Sequence, residues 1–348
     1  MFSRRRFFQL TLTTAASLAL AACGGSVPAP AQSASSAGSA AASPSTSGKP
    51  AAQRKLVVAS TTAAGSQTPL WLAENLHAWD SRGVTVLRQR LAPDIGTKAL
   101  LTKEIDVLIQ SPSAVIPAVL NGNVELVYVG SIFNRSQFAM AAKPAIKTAA
   151  DLKGKMVATD RPGTTTDFHA RVLFPKLGLK FEDVQLVGIG SSDAIFAALM
   201  AGKVDAGPIA IPQTFQAQAA GFNILATTYD IKYQNIGPVV QKARVEELTP
   251  ALIPFLQGVR DGIRAFNSQP DLAKKLIEEN TKESDQTVLQ KTYDFYTKET
   301  QFQEDLEPTM DGIQSMIDFL GETALPEAKG AKAERFVDRR VLDKVPKS

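Results

Sequence analysis

The 348-residue sequence predicts an α/β fold made of two similar lobes with a ligand cleft between them. Short β-rich runs alternate with helical spacing from Leu56 onward, the pattern of an α/β domain. The segment Leu100-Leu101-Thr102-Lys103-Glu104-Ile105-Asp106 returns 99 residues later as Leu199-Met200-Ala201-Gly202-Lys203-Val204-Asp205. A repeat on that scale points to two like domains, because solenoid units run to about 20–50 residues. Ligands of open α/β sheets bind outside the carboxyl ends of the strands, so two lobes facing each other enclose a cleft there.

The elements follow in order. Leu56 to Ser60 reads as a strand, and Leu70, Leu72, Leu76 and Trp79 space a helix from Pro69 to Asp80. Val84 to Arg88 alternates as a strand, Gly96 to Leu101 begins a helix, and Ile105 to Ile109 is an apolar strand. Val124 to Gly130 and Gln137 to Ala141 read as strands flanking Phe133-Asn134-Arg135. The pattern then restarts, with strands at Met156–Thr159, Val184–Gly188 and Val204–Ile209 and helices at Thr165–Leu177 and Ser192–Ala201. From Val245 the chain is helical, with amphipathic stretches at Ala251–Phe266, Leu272–Glu279, Thr287–Tyr296 and Met310–Leu320 that are expected to cover the first lobe.

Composition excludes several functions. Hydrophobic residues at 44% and charged residues at 21% are near globular averages, so neither a disordered chain nor a polytopic membrane protein is expected. The net charge is +4, of which Arg4, Arg5 and Arg6 supply three, leaving no basic surface for nucleic acid. One cysteine, Cys23, permits no internal disulfide, CxxC pair or cysteine-rich zinc site, and two histidines, His77 and His169, make no histidine-rich metal site. No GxSxG elbow, P-loop or GxGxxG follows a strand. No catalytic residue, metal or cofactor is therefore expected, and both histidines read as structural.

Residues 1–22 read as a signal segment: a basic start, an apolar Leu10–Ala22 and Leu20-Ala21-Ala22 directly before Cys23, the pattern of a lipobox. Ser3-Arg4-Arg5-Arg6-Phe7-Phe8 resembles the twin-arginine export consensus, with the general secretory route as the alternative. Acyl chains on Cys23 would anchor the chain, each buried methylene contributing about 0.8 kcal/mol. The alternative is ordinary cleavage near Ala22 with Cys23 left as a thiol. Residues 23–53, nearly all Gly, Ser, Ala, Pro, Thr and Gln, read as a flexible tether reaching about 30 Å. The expected location is the cell envelope, in the periplasm or on the outer face of the cytoplasmic membrane.

Several segments together resemble a known family. Ser66-Gln67-Thr68-Pro69-Leu70-Trp71-Leu72-Ala73-Glu74, Ala99-Leu100-Leu101, Asp151-Leu152-Lys153-Gly154-Lys155, Arg161-Pro162-Gly163-Thr164-Thr165-Thr166-Asp167-Phe168 and Leu199 to Ala206 are similar to the nitrate, sulfonate, taurine and thiamine-precursor (NMT1/THI5-like) group of solute-binding proteins. The resemblance implies the two-lobed type II periplasmic binding protein fold, with two crossovers and an interdomain ligand cleft. Residues 54–137 and 229–325 would form lobe 1, 138–228 lobe 2, and 326–348 a C-terminal tail. It further implies a monomer that captures a small-molecule ligand for the permease and ATPase of an ABC importer. Two alternatives stand beside it: an exported ligand-sensing lipoprotein, and an enzyme on the same fold, such as a pyrimidine-synthesis or menaquinone-pathway protein.

Candidate ligand contacts lie in strand-to-helix loops. Gly163, Thr164 and Thr165 offer backbone N–H groups, hydroxyls and a positive helix end to an anion or carbonyl; simple capping is the competing explanation. Gln110, Ser111 and Ser113, and Ser191, Ser192 and Asp193, share that construction, Asp193 also suiting an amine. Ser66 and Gln67 close the first such loop, which touches ligand in the resembled family. Phe133 and Tyr229 sit near the two crossovers as aromatic walls, and Arg161 suits an anionic group.

Overall fold

Alternation puts Leu56 and Val58 on one face of β1 (Arg54–Ser60) and Val57 and Ala59 on the other, and both faces are covered. The computed structural model describes residues 54–122 and 124–347. The expected signal segment, the Cys23 anchor and the tether lie outside the described residues.

α1 (Thr68–Asn75) carries Pro69 in its first turn, where a missing N–H costs no helical bond. β2 (Val84–Arg90), α2 (Pro93–Leu101), β3 (Val107–Gln110), α3 (Pro112–Gly122) and β4 (Leu126–Tyr128) continue the alternation. The chain leaves through β5 (Phe133–Arg135) and enters a second sheet at β6 (Phe138–Ala142). There follow β7 (Met156–Thr159), α4 (Thr165–Lys176), β8 (Gln185–Gly188), α5 (Ser192–Met200), β9 (Ala206–Ala210), α6 (Gln213–Ala219) and β10 (Asn223–Thr227). β11 (Lys232–Gln241) returns to the first sheet, and α7 (Val245–Ser268), α8 (Pro270–Thr281), α9 (Gln286–Asp294) and α10 (Met310–Thr323) follow it.

The first sheet has the order β2-β1-β3-β11-β4, with β5 also paired to β11, and the second β10-β6-β9-β7-β8. β1 is parallel to β2 and β3, whereas β11 is antiparallel to β3 and β4. β11 has no counterpart in the sequence reading. Gln234, Asn235, Gly237 and Pro238 interrupt its apolar pattern, yet it is buried from Tyr233 to Val240 because it runs through the middle of the sheet. The two crossovers lie side by side: Lys232 pairs with Arg135, Ser136 N–H donates to Ile231 O at 3.1 Å, and Thr228 N–H donates to Phe138 O at 2.9 Å.

The seven-residue echo is a structural equivalence. Asp106 Oδ2 accepts from Val57 N–H at 2.9 Å, and Asp205 Oδ2 accepts from Met156 N–H at 3.0 Å. Val57 and Met156 are themselves 99 residues apart, so each aspartate satisfies the same donor near the start of the corresponding strand. The preceding turn needs a left-handed residue in both lobes, Gly202 at φ 69° and Lys103 at φ 64°. Glycine adopts that conformation freely; lysine does so at a cost of about 1–2 kcal/mol.

α7 packs across α1, and two glycines permit the close approach. A Cβ on Gly262 would stand 2.0 Å from Pro69 O, and one on Gly258 would stand 2.3 Å from the Trp79 ring. That ring stacks on Phe255 at 5.7 Å and donates Nε1–H to Phe255 O at 3.0 Å. Residues 326–347 lie against the first lobe: Phe336 and Val341 are buried, and Asp338 N–H donates to Tyr128 O at 2.9 Å.

Candidate functional site

Four side chains between the lobes are almost completely buried and each carries a polar atom with no partner. They are Ser66 Oγ, Gln67 Oε1, Gln110 Nε2 and His169 Nε2, in residues 1%, 0%, 5% and 0% exposed. Arg88 Nη1, Thr159 Oγ1 and Thr292 Oγ1 are also buried without a partner, so what marks these four is their gathering along one path of contacts.

These groups belong to a closed circuit of contacts crossing both lobes. Gln67 and Gln110 lean on one loop, through Gln67 Nε2–H to Thr62 Oγ1 at 3.3 Å and Thr61 Oγ1–H to Gln110 Oε1 at 3.4 Å. Gln110 Oε1 also accepts from Ser111 N–H at 2.9 Å. The Ser111 and Ser113 hydroxyls meet Thr165 Oγ1 across the cleft at 3.2 and 2.8 Å, and Thr165 meets the Tyr233 hydroxyl at 3.2 Å. One turn along α4, His169 Nδ1 lies 2.7 Å from Thr165 O, and its ring stacks on Phe138 at 4.0 Å. The residue before Phe138, Gln137, accepts from the Tyr296 hydroxyl. Tyr296 closes the circuit against the Gly65–Gln67 turn, where a Cβ on Gly65 would stand 2.7 Å from the Tyr296 ring.

Electrostatics follow from burial. A backbone oxygen only accepts, so His169 Nδ1 carries the hydrogen and Nε2 presents a lone pair. Burial without a countercharge pushes the His169 imidazole down to about 3, despite the Thr165 carbonyl, so the ring is neutral. Burial likewise pushes the Tyr233 phenol up to about 12, and Tyr296 is raised further. Ser66 Oγ lies beside the Tyr296 hydroxyl without an aligned hydrogen bond.

The other expected contacts make the following interactions. Gly163 packs on α10, its Cβ position 2.8 Å from Ala324 Cβ, and Thr164 caps α4 by accepting from Asp167 N–H at 3.3 Å. Asp167, itself buried, takes the Gly163 N–H at 3.1 Å and the Arg171 guanidinium at 3.3 Å. Ser191 caps α5, Ser192 Oγ–H donates to Gln213 Oε1 at 2.7 Å, and Asp193 is held by Gln213 Nε2. Phe133 packs edge-on against Tyr296 at 5.3 Å, and Tyr229 against Phe295 at 4.8 Å, within the first lobe's core. Arg161 is exposed and lines a separate hollow of about 520 Å³ between α4 and β8, with Thr159, Arg171, Phe181 and Leu186. The sequence marks Tyr233, like Tyr229, as an aromatic near the second crossover that could wall the pocket, reads His169 as structural, and gives no sign of Gln137 or Tyr296. For His169 the available signal is its position four residues after Thr165, on the same helix face.

The model of a family described as NMT1/THI5 like matches residues 68–273, more than half of the chain. The chain belongs to that family. Proteins of Brucella abortus that bear binding-protein names are 30% identical to this NMT1/THI5-like chain over 154 residues, 44% of it and 44% of them. The match thus spans less than half the length of those curated relatives. Among solved structures, the periplasmic aliphatic sulphonate binding protein SsuA of Escherichia coli is 19% identical, with TM-score 0.64, over 79% of this chain and 91% of that one. A Candida albicans protein with the generic periplasmic binding protein fold is 16% identical, with TM-score 0.61, over 80% and 90%. These likenesses establish a two-lobed periplasmic binding protein fold for the NMT1/THI5-like chain.

Proposed function

We propose that this is a solute-binding protein of the cell envelope that captures a small polar molecule between its lobes and hands it to an ABC importer. The observation that carries this reading is the set of four buried, unpartnered polar atoms on a circuit made by both lobes. A solute paired to them supplies hydrogen bonds that the protein's own groups do not, and does so only when the lobes are together. Binding without chemistry is favoured because no hydroxyl donates to His169 Nε2, the base that a serine or threonine nucleophile would need. Sulfonate capture by SsuA supports the same use of the fold here. The side-by-side crossovers supply the hinge.

Native mass spectrometry on gently purified protein is expected to release one small molecule per chain, and scattering to show compaction when that molecule is restored. A chain that is empty, with an envelope unchanged by any solute, would sink the reading.

Thr165→Val is expected to weaken affinity for the released molecule more than tenfold, because Thr165 is where the second lobe's hydroxyl meets the first. Thr164→Val removes a cap worth about 1 kcal/mol of stability and leaves affinity unchanged. Calorimetry on both variants checks the contrast; equal affinities would move the site away from α4.

Anchoring through Cys23 is part of the same proposal. Cys23→Ala is expected to move the protein from the membrane to the soluble fraction or to block its maturation, and unchanged fractionation would remove the anchor.

A further inference from the structure

We infer that the solute in the cleft carries no net charge and both donates and accepts: an N–H given to His169 Nε2 and a carbonyl-type oxygen receiving Gln110 Nε2–H, as in amides, lactams and ureides. This rests on the inter-lobe site proposed above and goes further by naming its chemical class.

Two hydrogen-bond polarities are set by the fold. His169 Nδ1 faces the Thr165 carbonyl at 2.7 Å, so its hydrogen is committed and Nε2 has only a lone pair to offer. Gln110 Oε1 accepts the Ser111 backbone N–H at 2.9 Å, so its unpartnered end is the NH2 donor. A partner for the first must bring a hydrogen, and a partner for the second must bring a lone pair. Nitrate and sulfonates have no hydrogen to give, and their charge would face the His169 lone pair.

The arginines nearest to α4, Arg161 and Arg171, both line the hollow outside the circuit. Beside the N-terminus of α4, the Asp167 carboxylate takes the Gly163 N–H at 3.1 Å and sets a negative charge against an incoming anion. Asp167 also holds Arg171, whose guanidinium lies 4.7 Å over the Phe181 ring in the hollow outside the circuit. An anion in the cleft would be buried near the Asp167 carboxylate with no cation among the residues of the circuit, an unfavourable transfer. The neutral imidazole favours the same conclusion, because it keeps its lone pair down to acidic pH.

The test uses the full-length protein labelled with nitrogen-15 at histidine, where exposed His77 is the internal reference. Hydantoin and 2-pyrrolidinone are titrated against methanesulfonate and nitrate, with a thermal-shift readout in parallel. Expected results are a free protein with Nε2 unprotonated, a saturable shift of that nitrogen with a ureide or lactam, and no response to either anion. His169→Phe keeps the stack on Phe138 and is expected to lose at least tenfold in hydantoin affinity. An Nε2–H tautomer in the wild-type spectrum, undiminished hydantoin binding by His169→Phe, or binding of methanesulfonate with the amides inert would overturn the inference. The last result would leave the solute-binding reading standing, whereas a protein that answers no probe and releases no small molecule would end both.

Discussion

Lowering the pH from 6.5 to 4 is expected to weaken the folded protein by roughly 3 kcal/mol through His169 alone, at about 1.4 kcal/mol per unit. The unfolded chain takes up a proton at this imidazole near its ordinary value of 6.5, whereas the folded chain does so only near 3. Between those values the unfolded state binds more protons. The contribution is therefore complete above pH 6.5 and is lost progressively as pH falls toward 3. The groups facing the ring are Phe138, Phe168, Tyr233 and the Thr165 carbonyl, none of which carries a negative charge to hold an imidazolium. Urea unfolding of the wild type and His169→Phe at several pH values checks this. The wild type should lose stability faster on acidification, and parallel curves would remove His169 as the cause.

Gly262→Ala is expected to destabilise the protein by about 3 kcal/mol, although alanine in place of a helical glycine ordinarily stabilises by about 1 kcal/mol. The reversal comes from the crossing of α7 over α1. The new methyl group would lie 2.0 Å from Pro69 O and 3.2 Å from Ala73 N, both backbone atoms that cannot swing aside. Relief requires the helices to separate, which opens the contacts of Phe255, Phe266 and Leu70 in the first lobe's core. Equilibrium urea unfolding provides the check; a variant as stable as wild type would show that α1 and α7 do not meet this closely.

The elements that read easily from the chain are those whose pattern is local. β1 alternates, α7 and α10 carry amphipathic stripes, and the echo between Leu100–Asp106 and Leu199–Asp205 places an aspartate near the start of a strand in each lobe, while the bond each makes to Val57 or Met156 comes only from the fold. β11 was not readable, because its neighbours β3 and β4 are more than a hundred residues upstream and its own residues include Gly237 and Pro238. A central strand is specified by the sheet it completes as much as by its own alternation.

The candidate site divides the same way. Ser66, Gln67, Gln110, Ser111, Ser113 and Thr165 stand at strand-to-helix junctions, and that placement followed from the order of elements. Direction did not. Thr164 and Thr165 are adjacent and chemically identical, yet one caps its own helix and the other reaches the opposite lobe. His169 offered no motif, since its significance comes from Phe138 stacked on one face and Tyr233 at its edge, brought there by the two crossovers.

Residue order alone therefore established the α/β class and the echo between its two halves, because periodicity and repeats are properties of neighbouring residues. Which hydroxyls cross between lobes, and which polar atoms are left buried without a partner, was decided by folding. Both depend on groups distant in sequence coming within a few ångströms, where burial sets the cost of an unmade hydrogen bond.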